Sequence, residues 1–371
     1  MISVTKKFFF VVSLMLSVQF LNAQTLNSIY KAGEAGYNCF RIPAIVKSTK
    51  NTMLAFAEAR VKNCGDAGDI DIVLKRSMDG GKTWSDIILV WNDAENTCGN
   101  PAPVVDESTG NIVLVTTWNL GTDHERDIIA QTSKDSRRVY VLNSADDGVT
   151  WSAAKEITST TKKADWTWYA TGPCNGIQMR EGPHKGRLVI PCDHIEAASK
   201  KYYSHSIHSD DGGVSWTLGG TTPMDSVNEC TVAELPGGKL MLNMRNYGKL
   251  KKFRQVAISD DGGESWKDQH WDMQLPEPIC QGSLIWYNYP GKKPMLAFSN
   301  PANQKSRSNM TVKLSTNKGK SWKKKVELYA GPSAYSNLVV LPNGNLACFY
   351  EAGVAKPYEG IVFEEIDFSR L

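Results

Sequence analysis

This 371-residue chain lacks most of the features that assign a function quickly. Its eight cysteines, Cys39, Cys64, Cys98, Cys174, Cys192, Cys230, Cys280 and Cys348, form no CxxC pair, which removes zinc-ribbon and thioredoxin-type sites. Its six histidines show no HExxH and no i,i+4 pair, so a zinc hydrolase has no support. A Gly-x-Ser-x-Gly elbow and a P-loop are missing too. No Pro/Gly/Ser-rich linker divides the chain, and helical periodicity is weak throughout. Past the N-terminus no stretch approaches the ~20 apolar residues of a membrane-spanning helix. Neither sign of charge dominates: 42 Lys and Arg stand against 39 Asp and Glu, which advertises neither nucleic acid nor an anionic membrane as a partner.

What is present begins with an export signal. Lys6 and Lys7 precede the apolar run Phe8 to Val18, and Leu21, Asn22 and Ala23 offer a small-residue cleavage site. The expectation is a leader over 1–23, a mature chain from Gln24, and secretion or periplasmic residence. Residues 24–371 then read as one large domain, taken to be monomeric. Export permits disulfides, although most of the cysteines read equally well as small buried apolar residues.

A short pattern recurs five times, at Ser77–Trp84, Ser144–Trp151, Ser209–Trp216, Ser259–Trp266 and Ser315–Trp322. Each copy carries Ser, then Asp two residues on (Asn317 in the fifth), Gly, Thr or Ser, and Trp. Each follows a β-rich run: Ile70–Leu74, Val139–Leu142, Tyr202–Ile207, Gln255–Ile258 and Thr311–Leu314. The copies are therefore hairpin turns, in which the Asp accepts backbone N–H bonds, the Gly supplies a positive φ and the Trp packs back on the sheet. A calcium loop needs several carboxylates converging on one ion, and one fixed Asp per copy does not provide them. The repeat tryptophans are 67, 65, 50 and 56 residues apart, room for about four short strands per copy. Five marked units plus unmarked sequence at both ends predict an all-β, six-bladed propeller. Terminal strands around Ile42–Val46 and Gly360–Phe368 are expected to share a blade and close the ring, with the chemistry on loops at one mouth.

The repeat is the Asp box. Together with Phe40-Arg41-Ile42-Pro43 it makes the chain resemble the bacterial exo-α-sialidase family from Arg41 to about Glu351. The resemblance implies sialylated glycans as substrate and no metal or other cofactor. A sialic acid carries a carboxylate on its anomeric carbon, and arginine, always charged and bidentate, suits an anion clamp. The resemblance places that clamp at Arg41, at Arg245 in Leu-Asn-Met-Arg-Asn, and at Arg307 in Lys-Ser-Arg-Ser-Asn; a solvated surface ion pair is the plainer alternative for Arg307.

Like charge would push a carboxylate nucleophile away from this substrate, whereas a neutral phenol is not repelled. Tyr335, in Gly-Pro-Ser-Ala-Tyr-Ser-Asn-Leu, resembles the family's nucleophile. Ionising an ordinary tyrosine at neutral pH costs roughly 4 kcal/mol, so it needs a base, and Glu229 in Asn-Glu-Cys resembles that partner. Asp66, Asp69 and Asp71 are candidates for the acid that protonates the leaving oxygen. Asp66 is preferred because it lies on a Gly-rich loop, whereas the others run into the following strand. Arg60 resembles a residue that contacts sugar hydroxyls, or else pairs with nearby acids. Glu351 resembles the acid that holds Arg41 in place, or else is a strand-end surface charge. Trp118 and the Trp166-Thr-Trp168-Tyr169 segment are pocket walls or core. Hydrolysis is the expected outcome. Trans-sialidase or anhydro-forming chemistry would use the same residues, and a lectin-like propeller that binds sialic acid without cleaving it would need only the arginines.

Overall fold

The computed structural model describes residues 26–248, 250–288, 291 and 293–367. The expected leader and its cleavage site lie outside these residues. The described chain is built almost wholly of antiparallel strands. The first is β1 (Ser28–Lys31), followed by a group of four: β2 (Cys39–Lys47), β3 (Met53–Arg60), β4 (Ile70–Ser77) and β5 (Ile88–Trp91). Next come β6 (Thr97–Val105), β7 (Ile112–Asn119), β8 (Arg138–Ser144) and β9 (Lys155–Glu156). A third group holds β10 (Trp166–Thr171), β11 (Ile177–Gln178), β12 (Leu188–Glu196), β13 (Tyr202–Ser209) and β14 (Thr217–Thr221). The fourth is β15 (Val227–Leu235), β16 (Lys239–Asn246), β17 (Phe253–Ser259) and β18 (Lys267–Pro276). The chain finishes with β19 (Ser283–Tyr287), β20 (Met295–Pro301), β21 (Ser308–Ser315), β22 (Lys324–Val340), β23 (Leu346–Ala352) and β24 (Gly360–Glu365).

Within each group successive strands pair antiparallel, except that in the third β10 and β11 both pair with β12. Two links join groups into larger sheets. A single parallel bridge, Ile70 to Thr97, connects β4 with β6, and the 17-residue β22 pairs with β21 through its first part and with β23 through its second. Apolar clusters fill the spaces between neighbouring groups. One joins Val104, Val115 and Val141 to Trp166, Ile190, Ile207 and Trp216; another joins Tyr30, Phe40 and Val73 to Val339, Phe349 and Ile361. Each such side chain taken from water contributes roughly 1.5–3 kcal/mol, so the core is spread along these interfaces.

The expected closing pair is corrected. β24 does pair with an N-terminal strand, but that strand is β1, through Tyr30–Ile361 and Lys31–Gly360. The Ile42–Val46 run belongs to β2, which pairs with β3. The reason lies in burial: β2 is buried along all but its last residue, whereas the short β1 supplies β24 with a partner.

Each Asp box joins two successive strands of a group, β4 to β5, β8 to β9, β13 to β14, β17 to β18 and β21 to β22, as the β-rich runs before them predict. In every copy the serine hydroxyl donates to the Asp (or Asn317) side chain and accepts from a glycine N–H, at 2.8–2.9 Å in the Ser77–Gly81 and Ser144–Gly148 examples. The same carboxylates accept from the Thr or Ser backbone N–H two positions past the glycine. Gly81 shows why glycine is needed: its φ is +93°, and a Cβ there would sit 2.1 Å from the Phe363 ring.

The antiparallel order gives the sheets two unlike ends. Asp boxes occupy the end where β4, β8, β13, β17 and β21 finish. At the opposite end β3, β16 and β23 finish, and each carries its charged Glu or Arg within the last three residues: β3 reads MLAFAEAR, β16 KLMLNMRN and β23 LACFYEA.

Candidate active site

A cavity of about 130 Å³ opens at the polar end. Arg41, Arg60, Asp66, Glu229, Arg245, Arg307 and Tyr335 all line it, together with Glu58, Asn100, Glu125, Arg137, Trp168, Asp193, Asn228 and Tyr247. Most of these residues sit on strands; of the residues named from the sequence, Asp66 and Arg307 lie on loops as expected, and Arg137 and Tyr247 lie outside strands as well.

Local backbone irregularity aims the side chains inward. Register shifts occur in β2 between Arg41 and Ala44, in β6 between Gly99 and Ala102, in β10 between Trp166 and Tyr169, in β15 between Val227 and Cys230, and in β22 between Ser333 and Ser336. Those windows hold Arg41, Asn100, Trp168, Glu229 and Tyr335. A bulge breaks the alternation of a strand and re-aims the side chains beside it. In β2 the bulge puts Ile42 at φ +58°, a costly conformation for a β-branched residue. It is held because the Ile42 N–H donates to Glu351 Oε1 at 2.9 Å.

Glu351 is fully buried beneath the cavity and ties two elements together. It accepts Arg41 Nε at 3.1 Å and the Tyr335 backbone N–H at 3.1 Å. Burial pulls the Arg41 guanidinium towards neutrality, but Glu351 and Asp66 outweigh it and hold the pKa above its ordinary value. Breaking a buried pair of this kind typically costs about 3–5 kcal/mol.

The Tyr335 hydroxyl donates to Glu229 Oε1 at 2.5 Å and accepts from Arg245 Nη1 at 2.9 Å. Arg245 Nη1 also pairs with Glu229 Oε2, and its Nη2 donates to the Tyr247 hydroxyl at 2.9 Å. The Arg41 and Arg307 guanidinium carbons lie 5.2 and 5.5 Å from the centre of the Tyr335 ring. Burial and the Glu229 charge push the Tyr335 pKa up against the pull of the three arginines, so the phenol keeps its proton. Arg307 is not a surface ion pair: it donates to the Tyr358 hydroxyl at 2.8 Å and to the Ile279 carbonyl at 3.1 Å.

Asp66 accepts from Arg60 Nη1 at 2.7 Å and from Arg41 Nη1 at 3.2 Å. Its side chain is 66 % exposed, unlike its neighbours. Burial works to raise its pKa, yet Arg60 and Arg41 prevail and hold the carboxyl below the usual range. Arg60 is engaged by Glu58, by Asp66 and by the Cys64 carbonyl at 2.6 Å. Asp69 does not line the cavity, and Asp71 is buried holding the Tyr37 hydroxyl and the Asn92 amide. Cys39 and Cys64 form a disulfide; the other six cysteines are buried and unpaired.

Of the aromatic wall candidates, Trp168 alone reaches the cavity. Trp166 stacks on His194 with centroids 3.4 Å apart, and Trp118 donates to Asp93 outside the cavity. Seven polar cavity residues were not named from the sequence: Glu58, Asn100, Glu125, Asn228, Tyr247 and, with the most distinctive surroundings, Arg137 and Asp193. Arg137 lies beneath Trp168, its guanidinium carbon 4.2 Å from the ring centre, and donates to Asn100, Asn119 and Thr117; burial pulls its pKa down to about 10. Asp193 is 1 % exposed, and neither carboxylate oxygen has a hydrogen-bond partner among the described residues. Burial, then Glu229 and Glu125, push its pKa well up. Both carried a positional signal: Asp193 lies towards the end of β12, as Glu58, Arg245 and Glu351 lie towards the ends of β3, β16 and β23, and Arg137 immediately precedes β8, a strand that leads into an Asp box, as Arg307 precedes β21.

Residues 51–348 match the BNR repeat-like domain. The chain is 33 % identical over 346 residues to a sialidase of Bacteroides fragilis and 31 % identical over 338 residues to one of Micromonospora viridifaciens, with 87 % and 88 % of this chain covered. It spans 62 % and 52 % of the length of those two relatives. It is also 32 % identical to an exo-α-sialidase of Aspergillus fumigatus, covering 76 % of this chain and 68 % of the relative. Among solved structures, a Hadza microbial sialidase superposes with a TM-score of 0.83 at 29 % identity, covering 92 % of this chain and 68 % of that one. A leech intramolecular trans-sialidase shares the fold at a TM-score of 0.77 and 20 % identity, with 94 % and 71 % covered. With its BNR repeats and these relatives, the chain belongs to the sialidase family.

Proposed function

We propose that the chain is a retaining exo-α-sialidase that hydrolyses terminal sialic acid from glycans through a tyrosine nucleophile. One observation carries this reading: a buried tyrosine hydroxyl bonded at once to a carboxylate and to one guanidinium, with two further guanidiniums against its ring. A lectin would need the guanidiniums and not the Tyr335–Glu229 couple.

In this mechanism Arg41, Arg245 and Arg307 grip the substrate carboxylate. The Tyr335 oxygen attacks the anomeric carbon while its proton passes to Glu229, and Asp66 gives a proton to the departing glycosidic oxygen. Water then attacks the glycosyl-tyrosine with Asp66 as base, and the tyrosine oxygen leaves with the proton held on Glu229. Two inversions give net retention. Asp66 starts ionised against Arg41 and Arg60. A substrate carboxylate on Arg41 takes part of that positive charge and adds a negative one, and both changes raise the Asp66 pKa towards the protonated form that an acid needs. No step calls for a metal.

The fold reading goes with it: four groups of strands, the β19–β22 unit, and a last unit in which β22, β23 and β24 are joined by β1 make six blades of one domain over 24–371. Export after a leader and a monomeric state belong to the same proposal.

Incubation with sialyllactose, followed by NMR from the first turnover, tests the reaction. Early α-anomeric free sialic acid supports it. An initial β-anomer removes the retaining mechanism, transferred or 2,7-anhydro product replaces hydrolysis, and no release at all leaves a binding protein.

A further inference from the structure

We propose that Cys39 and Cys64 are positioning residues for the acid step: their disulfide holds Asp66 over the cavity when substrate has taken the arginines away from it. The inference rests on the reading of Asp66 as the acid.

Three features carry it. First, Asp66 is an exposed site side chain on a stretch without strand structure between β3 and β4, with Gly65 before it and Gly68, at φ +134°, after it. Second, its two side-chain partners are Arg41 and Arg60, cavity-lining guanidiniums that an anionic, hydroxyl-bearing ligand also attracts. Ligand binding therefore competes for the contacts that hold the acid in place. Third, the disulfide is placed to replace them. Cys39 faces Arg60 across the β2–β3 ladder, and Cys64 follows Arg60 by four residues, so the bond pulls the first turn of the loop back on to the sheet. Each cysteine stands two residues before its partner in the Arg41–Asp66 ion pair. At its far side the loop is held by Gly68, whose N–H and carbonyl both bond the Thr97 hydroxyl. With the Cys39–Cys64 anchor opened, the stretch between Val61 and Gly68 gains conformational freedom while the Val61 N–H to Asp69 carbonyl bond still closes its base.

A reductant acts here at one bond, because the other six cysteines are unpaired. Dithiothreitol delivers two electrons and two protons to the sulfurs and becomes its own cyclic disulfide. The sheet and the buried Tyr335–Glu229 couple do not depend on that bond, whereas the placement of Asp66 does. The loss should therefore depend on the leaving group. A sugar leaving group needs a proton from the acid; an aryl leaving group departs as a phenolate with little help.

The experiment compares the oxidised protein, the dithiothreitol-treated protein and C39S/C64S on sialyllactose and on an aryl α-sialoside, with D66N as reference. Expected is a fall of about 10-fold or more in kcat/KM on sialyllactose and less than about 2-fold on the aryl substrate, in the same sense as D66N. Amide hydrogen exchange over 61–69 should speed up on reduction while β2 and β3 stay protected. If D66N itself loses both substrates equally, the acid assignment fails. If D66N is selective and the reduced protein either keeps sialyllactose turnover or loses both substrates together, the tether is wrong. Reduction of the already folded protein keeps the test open should C39S/C64S not fold.

Discussion

The two ends of the sheets treat their carboxylates in opposite ways. At the Asp-box end, Asp211 accepts from Ser209, Val214 and Ser215, every donor within four residues. At the cavity end, Glu351 meets Arg41 across 310 residues and Glu229 meets Tyr335 across 106. The box carboxylates are saturated by their own turns. The cavity, by contrast, keeps buried polar atoms in Asp193, Asn228 and Arg245 that have no partner among the described residues. Satisfied local bonds stabilise a turn and offer a ligand nothing. Unsatisfied atoms held by distant elements cost stability, and a ligand can relieve them. The contrast predicts that substitutions at one end change turnover and at the other change stability.

The largest effect should come from Tyr335→Phe. It removes one oxygen, leaves the ring between Arg41 and Arg307, and should lower turnover of sialyllactose by about 10³-fold or more with Tm shifted by less than about 3 °C. Near-normal turnover would break the comparison at its centre.

Arg41→Ala follows. It removes a clamp contact and strands the buried Glu351, so kcat should fall, KM should rise, and about 3 kcal/mol of stability should go, read by kinetics and by denaturant titration. This substitution sharpens the contrast, since a cavity residue with a buried partner should move both quantities.

Asp211→Ala should do the reverse, losing on the order of 1–2 kcal/mol of stability while the folded fraction keeps its kcat/KM within about 2-fold. The acid side of the stability curve gives a second view. Burial works to raise the Asp211 pKa, but hydrogen bonds from its own turn prevail there, as they do at Asp146, and hold both at about 2. An unfolded Asp titrates near ~3.9, so their contribution is complete above about pH 4 and is lost as the pH falls towards 2. Asp211→Asn should flatten that acid-side slope, as the natural Asn317 box already has no charge to lose.

The smallest effect should come from EDTA, which is expected to leave kcat/KM unchanged within error. Loss restored by a divalent cation would require a site that the described carboxylates do not form.

The Asp boxes were legible in the chain because a turn closes on itself: Ser, Asp, Gly and Thr interact at i to i+4, and that spacing is written in the residue order. The β-rich runs and the count of strands per repeat followed for the same reason. Arg41, Arg245, Arg307, Tyr335 and Glu229 could be named only through family resemblance, since nothing in their spacing brings them together. Asp193 and Arg137 were missed although each occupies a recurrent position, near the end of a strand or just before one, because a polar residue there reads as a simple exit to solvent.

By itself, then, the order of residues determined the local vocabulary: strands, five turns, and a family pattern around Arg41. Tertiary structure decided which strand partners β24, which aromatic reaches the cavity, and that five bulges turn Arg41, Asn100, Trp168, Glu229 and Tyr335 inward. The physical reason is range. Hydrogen bonds inside a turn are set by neighbours in sequence, whereas the convergence of guanidiniums on one phenol requires separate sheets to be packed in place first.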